Sequence, residues 1–593
     1  MSVFSFAAVL AAAPASELEA RVRGLFPAPP HAVQVGRQAA LAGGRIWRRG
    51  HCRLVGRVRI DNGPELRSAL GLASGEDAEL VLAAWARWGA ESPRRLVGDF
   101  AFVLWDEEKR ILLAARDGLG MATLCYRRQR DLLLLAGETE QLLGKERPAL
   151  RLVTLAGWLG GWPDPHASLF EGVEVLPPGH ALVVEGGRVS VSSFWRIDPA
   201  RKVRYRSLEE YAEHLAELLS RAVRDRLRSP FPRVATQMSG GMDSTSVTAL
   251  AAEAREKELL VVSHTYDNTR SCDEQALVRE MQSHLGLTDV RLLPAESFLD
   301  LGYRFLYPPA RESPGTVLSP RYREEVKLVA QAGAGVLLTG SGGDELTWGH
   351  ALTYLQRLKR GEVGVVAEVV RGCREQQLPV LRTLWQLFGS PLVPEGVRRT
   401  LGRADGRRLP EWIRPEAVRR FDLKARLLEE PPAGFANPAL EARWQALRRS
   451  ATYNAVRSWA KVAESREVEV RHPFFDTRLV EFSFAVPDHL WNREGYPKWL
   501  LRKAMSNRLP EAVCWNRKKV VFDDFFVKVI RSRPEQVRET LLHPWLEEAG
   551  LLDRQALLRA WEETVAGRRP FHVDLLYALM TQAWVERETA GEA

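Results

Sequence analysis

The sequence is poor in cysteine and pairs none of it: Cys52, Cys125, Cys272, Cys373 and Cys514 are odd in number and scattered over 593 residues. No C-x-x-C unit and no zinc-ligand spacing occurs, which excludes a disulfide framework and a structural zinc site and fits a reducing cytoplasm. Long apolar runs are also missing; no stretch approaches the roughly 18 uninterrupted apolar residues that a membrane span requires. The opening MSVFSFAAVLAAAPA ends in small residues, but no Lys or Arg precedes its apolar run, so a secretory signal is not expected. Repeats and low-complexity tracts are absent. So are GxxxxGK[ST] and any GxGxxG after a strand, which excludes a Walker A loop and a Rossmann fingerprint. The basic residues are scattered rather than gathered with aromatics, and no zinc-finger or RNA-recognition signature accompanies them, so nucleic acid is not an expected partner.

What is present is enough for more than one core. A single core rarely grows beyond about 250 to 300 residues, and 45% hydrophobic content with 18 tryptophans can fill two. Eighty-four Lys plus Arg against 75 Asp plus Glu leave a charge of +9, which suits an anionic nucleotide or an acidic peptide.

The pattern changes once along the chain. Up to about Asp198 short β-like segments (Ser2 to Phe6, Cys52 to Ile60, Phe100 to Trp105, Ile111 to Ala115, His180 to Val184) alternate with Gly and Asp turns, predicting an antiparallel sheet domain. One helix interrupts it at Asp77 to Gly89, where Leu80, Val81, Ala84, Trp85 and Trp88 recur at helical spacing. The charged segment FWRIDPARKVRYRS, residues 194 to 207, reads as a linker. Beyond it, apolar strands at Arg233 to Met238, Leu259 to Tyr266, Val290 to Leu293 and Val336 to Thr339 alternate with helical stretches, predicting a parallel sheet covered by helices. After Trp348 the pattern is mostly helical.

Two of those strands end in glycine loops that carry acids. Ser239-Gly240-Gly241-Met242-Asp243-Ser244 opens a helix, where unpaired N–H groups and the helix dipole favour an anion. A carboxylate there would repel phosphate unless a cation intervened, so Asp243 points to Mg²⁺ between protein and phosphates. Thr339-Gly340-Ser341-Gly342-Gly343-Asp344-Glu345 also follows a strand and also ends in acids. Two such strand-end loops can converge at the C-terminal edge of one parallel sheet, the usual ligand position in open α/β folds. Without a Walker lysine, such a loop can hold leaving pyrophosphate while a carboxylate attacks the α-phosphorus. Adenylation is the chemistry that remains.

The segments SGGMDS and LLTGSGGDELTWG, with EVEVRHPFFDTRLVEF (467 to 482), KWLLRKAM (498 to 505) and LPEAVCWNRKKVVF (509 to 522), resemble the asparagine synthetase superfamily. RLVGDFAFVLWD (95 to 106) and LLAARDGLG (112 to 120) resemble its N-terminal glutaminase domain. The resemblance implies an α/β protein. An N-terminal, glutaminase-like antiparallel β domain of Ntn type (1–200) precedes a parallel-sheet, HUP-like ATP-pyrophosphatase synthetase domain with a helical C-terminal part (206–593). It further implies that ATP is bound by Ser239, Gly240, Gly241, Asp243, Ser244, Gly340 and Ser341, and Mg²⁺ by Asp243 and Asp344. Lys498 is implied as the catalytic cation beside the α-phosphate and acyl carbon.

The sequence departs from that pattern twice. Glutamine-using members carry a nucleophilic cysteine after the initiator methionine, where this chain has Ser2, and their NGE-type glutamine-binding segment is replaced by RVRIDNGPELR (57 to 67). A domain without glutaminase activity is expected. Ser341 stands where asparagine synthetases carry Glu and β-lactam synthetases carry Tyr, which leaves the amine's base unassigned between candidates such as Glu345 and His350. The expected nucleophile is then an amine of the substrate itself. The reading closest to the motifs is a lasso peptide cyclase, a macrolactam synthetase joining a core peptide's N-terminal amine to an Asp or Glu side chain. Its implied partners are a ribosomal precursor peptide, a leader peptidase and a leader-recognition protein. Asparagine synthetase, a β-lactam synthetase-like ligase and a non-catalytic nucleotide-binding scaffold are the alternatives.

Overall fold

The computed structural model describes residues 5–144, 148–297, 311–316, 319–375, 377–393, 409–428, 432–448, 451–517, 520 and 522–590. Ser2 lies outside them.

Two six-stranded antiparallel sheets stack face to face in the N-terminal third. One runs Val173–Val175, Cys125–Gln129, Leu132–Ala136, Phe6–Leu10, Ala39–Gly43, Ala32–Val35; the other runs Arg188–Ser193, His180–Glu185, Ile111–Arg116, Gly98–Asp106, Cys52–Ile60, Trp47–Arg49. Alternate residues of both, among them Phe6, Leu41, Val103, Trp105, Leu112 and Leu135, fill the space between. On the outer face of the second sheet lies helix Asp77–Trp88, which buries Leu80, Val81, Ala84 and Trp85 as its spacing predicts. A capping box between Glu76 and Glu79 starts it.

The five-stranded sheet that follows is wholly parallel, in the order Val290–Pro294, Glu258–Thr265, Arg233–Gln237, Ala334–Leu338, Glu469–Arg471. Four of these strands match the expected apolar runs to within two residues. The fifth was not expected, because three residues flanked by charge give too short a pattern. It enters the sheet after more than a hundred residues of mostly helical chain, pairing Val336 with Glu469 and Leu338 with Arg471.

Beside the cores private to each half, two others are shared between them. The outer face of the first antiparallel sheet, through Val9 and Leu134, and helix Leu152–Leu159, through Trp158, share one core with C-terminal helices bearing Trp561, Leu575 and Trp584. Segment 194 to 207 is likewise fastened rather than loose. Trp195 Nε1 donates to Glu481 at 3.0 Å, and Val203 N donates to the Ala485 carbonyl at 3.0 Å. No helix among the described residues is long and apolar enough to cross a membrane.

Candidate active site

Strand Arg233–Gln237 ends two residues before Ser239, and the chain turns through Gly240 and Gly241 into helix Met242–Ala254. The Ser239 N–H donates to Ser244 Oγ at 2.9 Å, the two serine hydroxyls lie 2.9 Å apart, and the Gly241 N–H donates to Ser239 Oγ at 3.2 Å. These bonds curl the loop. No side chain caps the helix, so its first turn faces the cavity with its dipole uncovered.

Strand Ala334–Leu338 leads into the second loop and the short helix Gly343–Thr347. Gly342 turns the corner at φ +91° against the ring of Phe475, a conformation that side chains rarely adopt. The loop is held from behind by a buried histidine. Thr339 Oγ1 lies 2.7 Å from His472 Nδ1 and accepts the Ser341 N–H at 3.2 Å. Burial, with Arg226, Arg59 and Arg57 nearby, pushes the His472 pKa down to about 3, so the ring is neutral.

Lys498 arrives from a third direction, on the hairpin Asn492–Arg493 with Tyr496–Pro497. It has left-handed backbone (φ 57°) just ahead of helix Trp499–Met505 and is only 5% exposed, so it is no surface lysine. Left-handed backbone costs a non-glycine residue about 1–2 kcal/mol, and such strain gathers at functional sites. Lys498 Nζ lies 2.5 Å from Asp243 Oδ2, pairs also with Asp344 Oδ1, and stands 5.5 Å from the ring centre of Trp348. Burial opposes the charge, yet Asp243 and Asp344 outweigh it and raise the pKa.

Two carboxylates against one ammonium leave this cluster one charge negative. A polyphosphate would be repelled by it unless a cation were added. Two carboxylates that reach one atom, with no histidine or thiolate, are a donor set for Mg²⁺, which takes its other positions from phosphate and water. Among the described residues no group of three or more acid, histidine or cysteine side chains is placed to hold a metal. Asp243 and Asp344 are the residues that could hold such a cation.

A cavity of about 210 Å³ opens over these groups, lined by Ser239, Gly240, Gly241, Asp243 and Asp344 of the two loops. Its walls also include Trp348, Lys498, Arg502, Arg517, Phe522 and Glu274. Of the expected residues, Ser244, Gly340 and Ser341 do not line it: Ser244 lies behind Ser239, Gly340 presses against the backbone of Ser244, and the Ser341 N–H is bonded to Thr339. Sequence reasoning missed Glu274, Thr339, His472 and Arg502. The HP of EVEVRHPFFD was the available signal for His472, since a histidine at the end of a buried strand needs a partner. Arg502 Nε donates to the Pro497 carbonyl at 2.8 Å and so fixes the hairpin that carries Lys498. Glu345 turns toward helix Ala451–Glu464, where Thr452 donates to it, and burial raises its pKa. His350 Nδ1 accepts the Leu352 N–H at 3.2 Å in a turn.

In the N-terminal third, the segment 57 to 67 is tied down by a buried charge network. Arg59 pairs with Asp61 at 3.1 Å and Asp99 at 2.6 Å, while Arg226, from the helix before the parallel sheet, reaches Asp61, Asp99 and Asp476 within 3.5 Å. Arg57 pairs with Glu464 and Glu469. Asn62 accepts the Val97 N–H and donates to the Arg95 carbonyl.

The family model described as Asparagine synthase matches residues 214–586, and that described as Glutamine amidotransferase domain matches residues 49–195. The glutamine-hydrolyzing asparagine synthetase 3 of Bacillus subtilis (strain 168) is 24% identical, over 79% of this chain and 75% of its own. Amidase chyE of Penicillium rubens is 24% identical over 85% and 81%, and Amidase chry2 of Gibberella zeae 26% identical over 83% and 79%.

Proposed function

The chain belongs to the asparagine synthase family, and we propose that within it this protein is an ATP-dependent lasso peptide cyclase. It adenylates an Asp or Glu side chain of a core peptide and closes a macrolactam with the peptide's N-terminal amine. ATP-dependent amide-ligase chemistry comes with the family; the peptide substrate, the ring closure and the residue roles are the proposal.

The reading is carried by the fate of the segment where glutamine would be gripped. Arg57, Arg59, Asp61, Asn62 and Asp99 are engaged in ion pairs and backbone bonds, several of them to the synthetase half. Groups so engaged cannot also hold glutamine without breaking a buried network, which typically costs about 3–5 kcal/mol. With that segment so engaged, nitrogen from glutamine is disfavoured. The nitrogen is then an amine of the substrate.

In the first half-reaction the substrate carboxylate attacks the α-phosphorus, forming acyl-AMP, and pyrophosphate leaves. The Ser239–Ser244 loop holds the departing phosphates by its N–H groups and hydroxyls. Asp243 and Asp344 would hold Mg²⁺, which would supply neutralisation of phosphate charge. Lys498 places its ammonium where charge gathers on phosphorus and then on the tetrahedral carbon. In the second half-reaction the amine attacks the acyl carbon, and AMP and one proton are released.

The test incubates the enzyme with a leader-free precursor peptide, ATP and Mg²⁺. The expected outcome is a product one water lighter by mass spectrometry, with one AMP per ring and no glutamate released from added glutamine. ATP-dependent asparagine formation with glutamate release would instead make it an asparagine synthetase. ATP–pyrophosphate exchange absent with every carboxylate tried would leave a nucleotide-binding scaffold.

A further inference from the structure

We propose that Glu274 is a resident occupant of the phosphate loop, competing with the leaving phosphates for the loop's donors and so setting how tightly ATP and pyrophosphate are held. This rests on the reading of Ser239–Ser244 as the phosphate loop.

Glu274 sits at the N-cap of helix Gln275–Leu285, where an acidic side chain ordinarily accepts an N–H of its own helix. It makes no such bond. Its side chain instead starts beside the first glycine loop, so closely that a β-carbon on Gly240 would be 3.0 Å from Glu274 Cβ. The side chain lines the same cavity as Ser239, Gly240, Asp243 and Lys498, on the side of the Gly240 N–H and the Ser239 hydroxyl, whose hydrogen-bonding influence lowers the carboxyl's pKa. Those two donors are of the kind that a phosphate oxygen takes.

Glu274 is therefore an anion already seated among anion donors. It is not a third metal ligand, since no group of three such side chains forms among the described residues. Charge of both signs surrounds it. Asp273 is its neighbour, Asp243 and Asp344 lie across the cavity, and Lys498, Arg502 and Arg517 bring positive charge from the C-terminal segment. Burial and Asp273 raise its pKa while the two donated hydrogen bonds lower it, with burial the largest effect. A phosphate entering the loop meets a like charge within a few ångströms. It gains full use of Ser239 and Gly240 only when that carboxylate withdraws or takes a proton.

The experiment measures Mg-pyrophosphate and AMP affinities by calorimetry on the full chain, comparing wild type with Glu274→Gln and Glu274→Ala. Removing the charge should tighten Mg-pyrophosphate by about tenfold in both variants. AMP, which lacks the β- and γ-phosphates, should change by no more than about twofold. Unchanged or weaker pyrophosphate binding in both variants would overturn the proposal, because Glu274 would then support the loop. Parallel changes for AMP and pyrophosphate would overturn it too, as a general effect on the cavity. If wild type and both variants all fail to bind Mg-pyrophosphate, the phosphate-loop reading itself falls.

Discussion

A β-carbon at Gly340 would lie 2.5 Å from the backbone nitrogen of Ser244. The second loop can therefore lie against the first only because position 340 has no side chain. Close approach of backbones, rather than a left-handed φ, is what this glycine supplies. Gly340→Ala should force the loops apart, lowering stability by about 1–3 kcal/mol and reducing ATP–pyrophosphate exchange well beyond what the stability loss explains. Gly24→Ala, where nothing lies within 4 Å, is the control. Wild-type exchange in Gly340→Ala would mean that the two loops need not touch to work.

Lys498→Ala should cut turnover by at least about a hundredfold, or roughly 3 kcal/mol, if it stabilises developing charge as oxyanion-hole donors do. Lys498→Arg should rescue poorly, because a planar guanidinium cannot fit between Asp243 and Asp344 as a compact ammonium does. The measurement is single-turnover acyl-AMP formation beside calorimetric ATP binding. Near wild-type speed in the alanine variant would remove Lys498 from the chemistry.

Asp243→Asn and Asp344→Asn each remove one of two carboxylates from a cluster with one ammonium. Both should lose AMP formation and need more magnesium for what remains, while circular dichroism stays unchanged. A magnesium titration of AMP production is the check. Unaltered magnesium dependence in both would separate these acids from the metal.

Acid should loosen the second loop through His472. Its folded pKa of about 3 lies below the unfolded value of roughly 6.5, so the unfolded chain binds the extra proton as pH falls. The neutral ring's contribution is fully present above about pH 6.5 and is lost as pH falls from there toward 3. Between pH 7 and pH 5 the loss is about 2 kcal/mol. His472→Asn, which keeps an acceptor for Thr339, should flatten the fall in melting temperature over that window. An identical pH dependence in the variant would place the sensitive group elsewhere.

Much of the scaffold was legible because it obeys simple periods. Cys52–Ile60 and helix Asp77–Trp88 declare themselves by β-branched or apolar residues at regular spacing. Ala39–Gly43 did not, although it is wholly buried within its sheet, because its AALAG composition has weak strand propensity. Its small side chains leave room for the facing sheet, a requirement visible only once both sheets exist. Glu469–Arg471 was hidden for another reason. Its strand character comes from the vacancy beside Ala334–Leu338 and not from its own three residues.

The sequence by itself determined two glycine loops at strand ends, each closed by an acid, and a lysine in a resembling motif, because local spacing is enough to specify a turn and its chemistry. Only the tertiary structure decided that Lys498, 255 positions from Asp243 and 154 from Asp344, would touch both. It likewise decided that His472 would orient Thr339 and that Arg226 would join the ion pairs of Arg59. The reason is one of range. Turn geometry and helix starts depend on a few adjacent residues, whereas the position of a side chain across a cavity depends on how separate elements pack, and no local pattern encodes that distance.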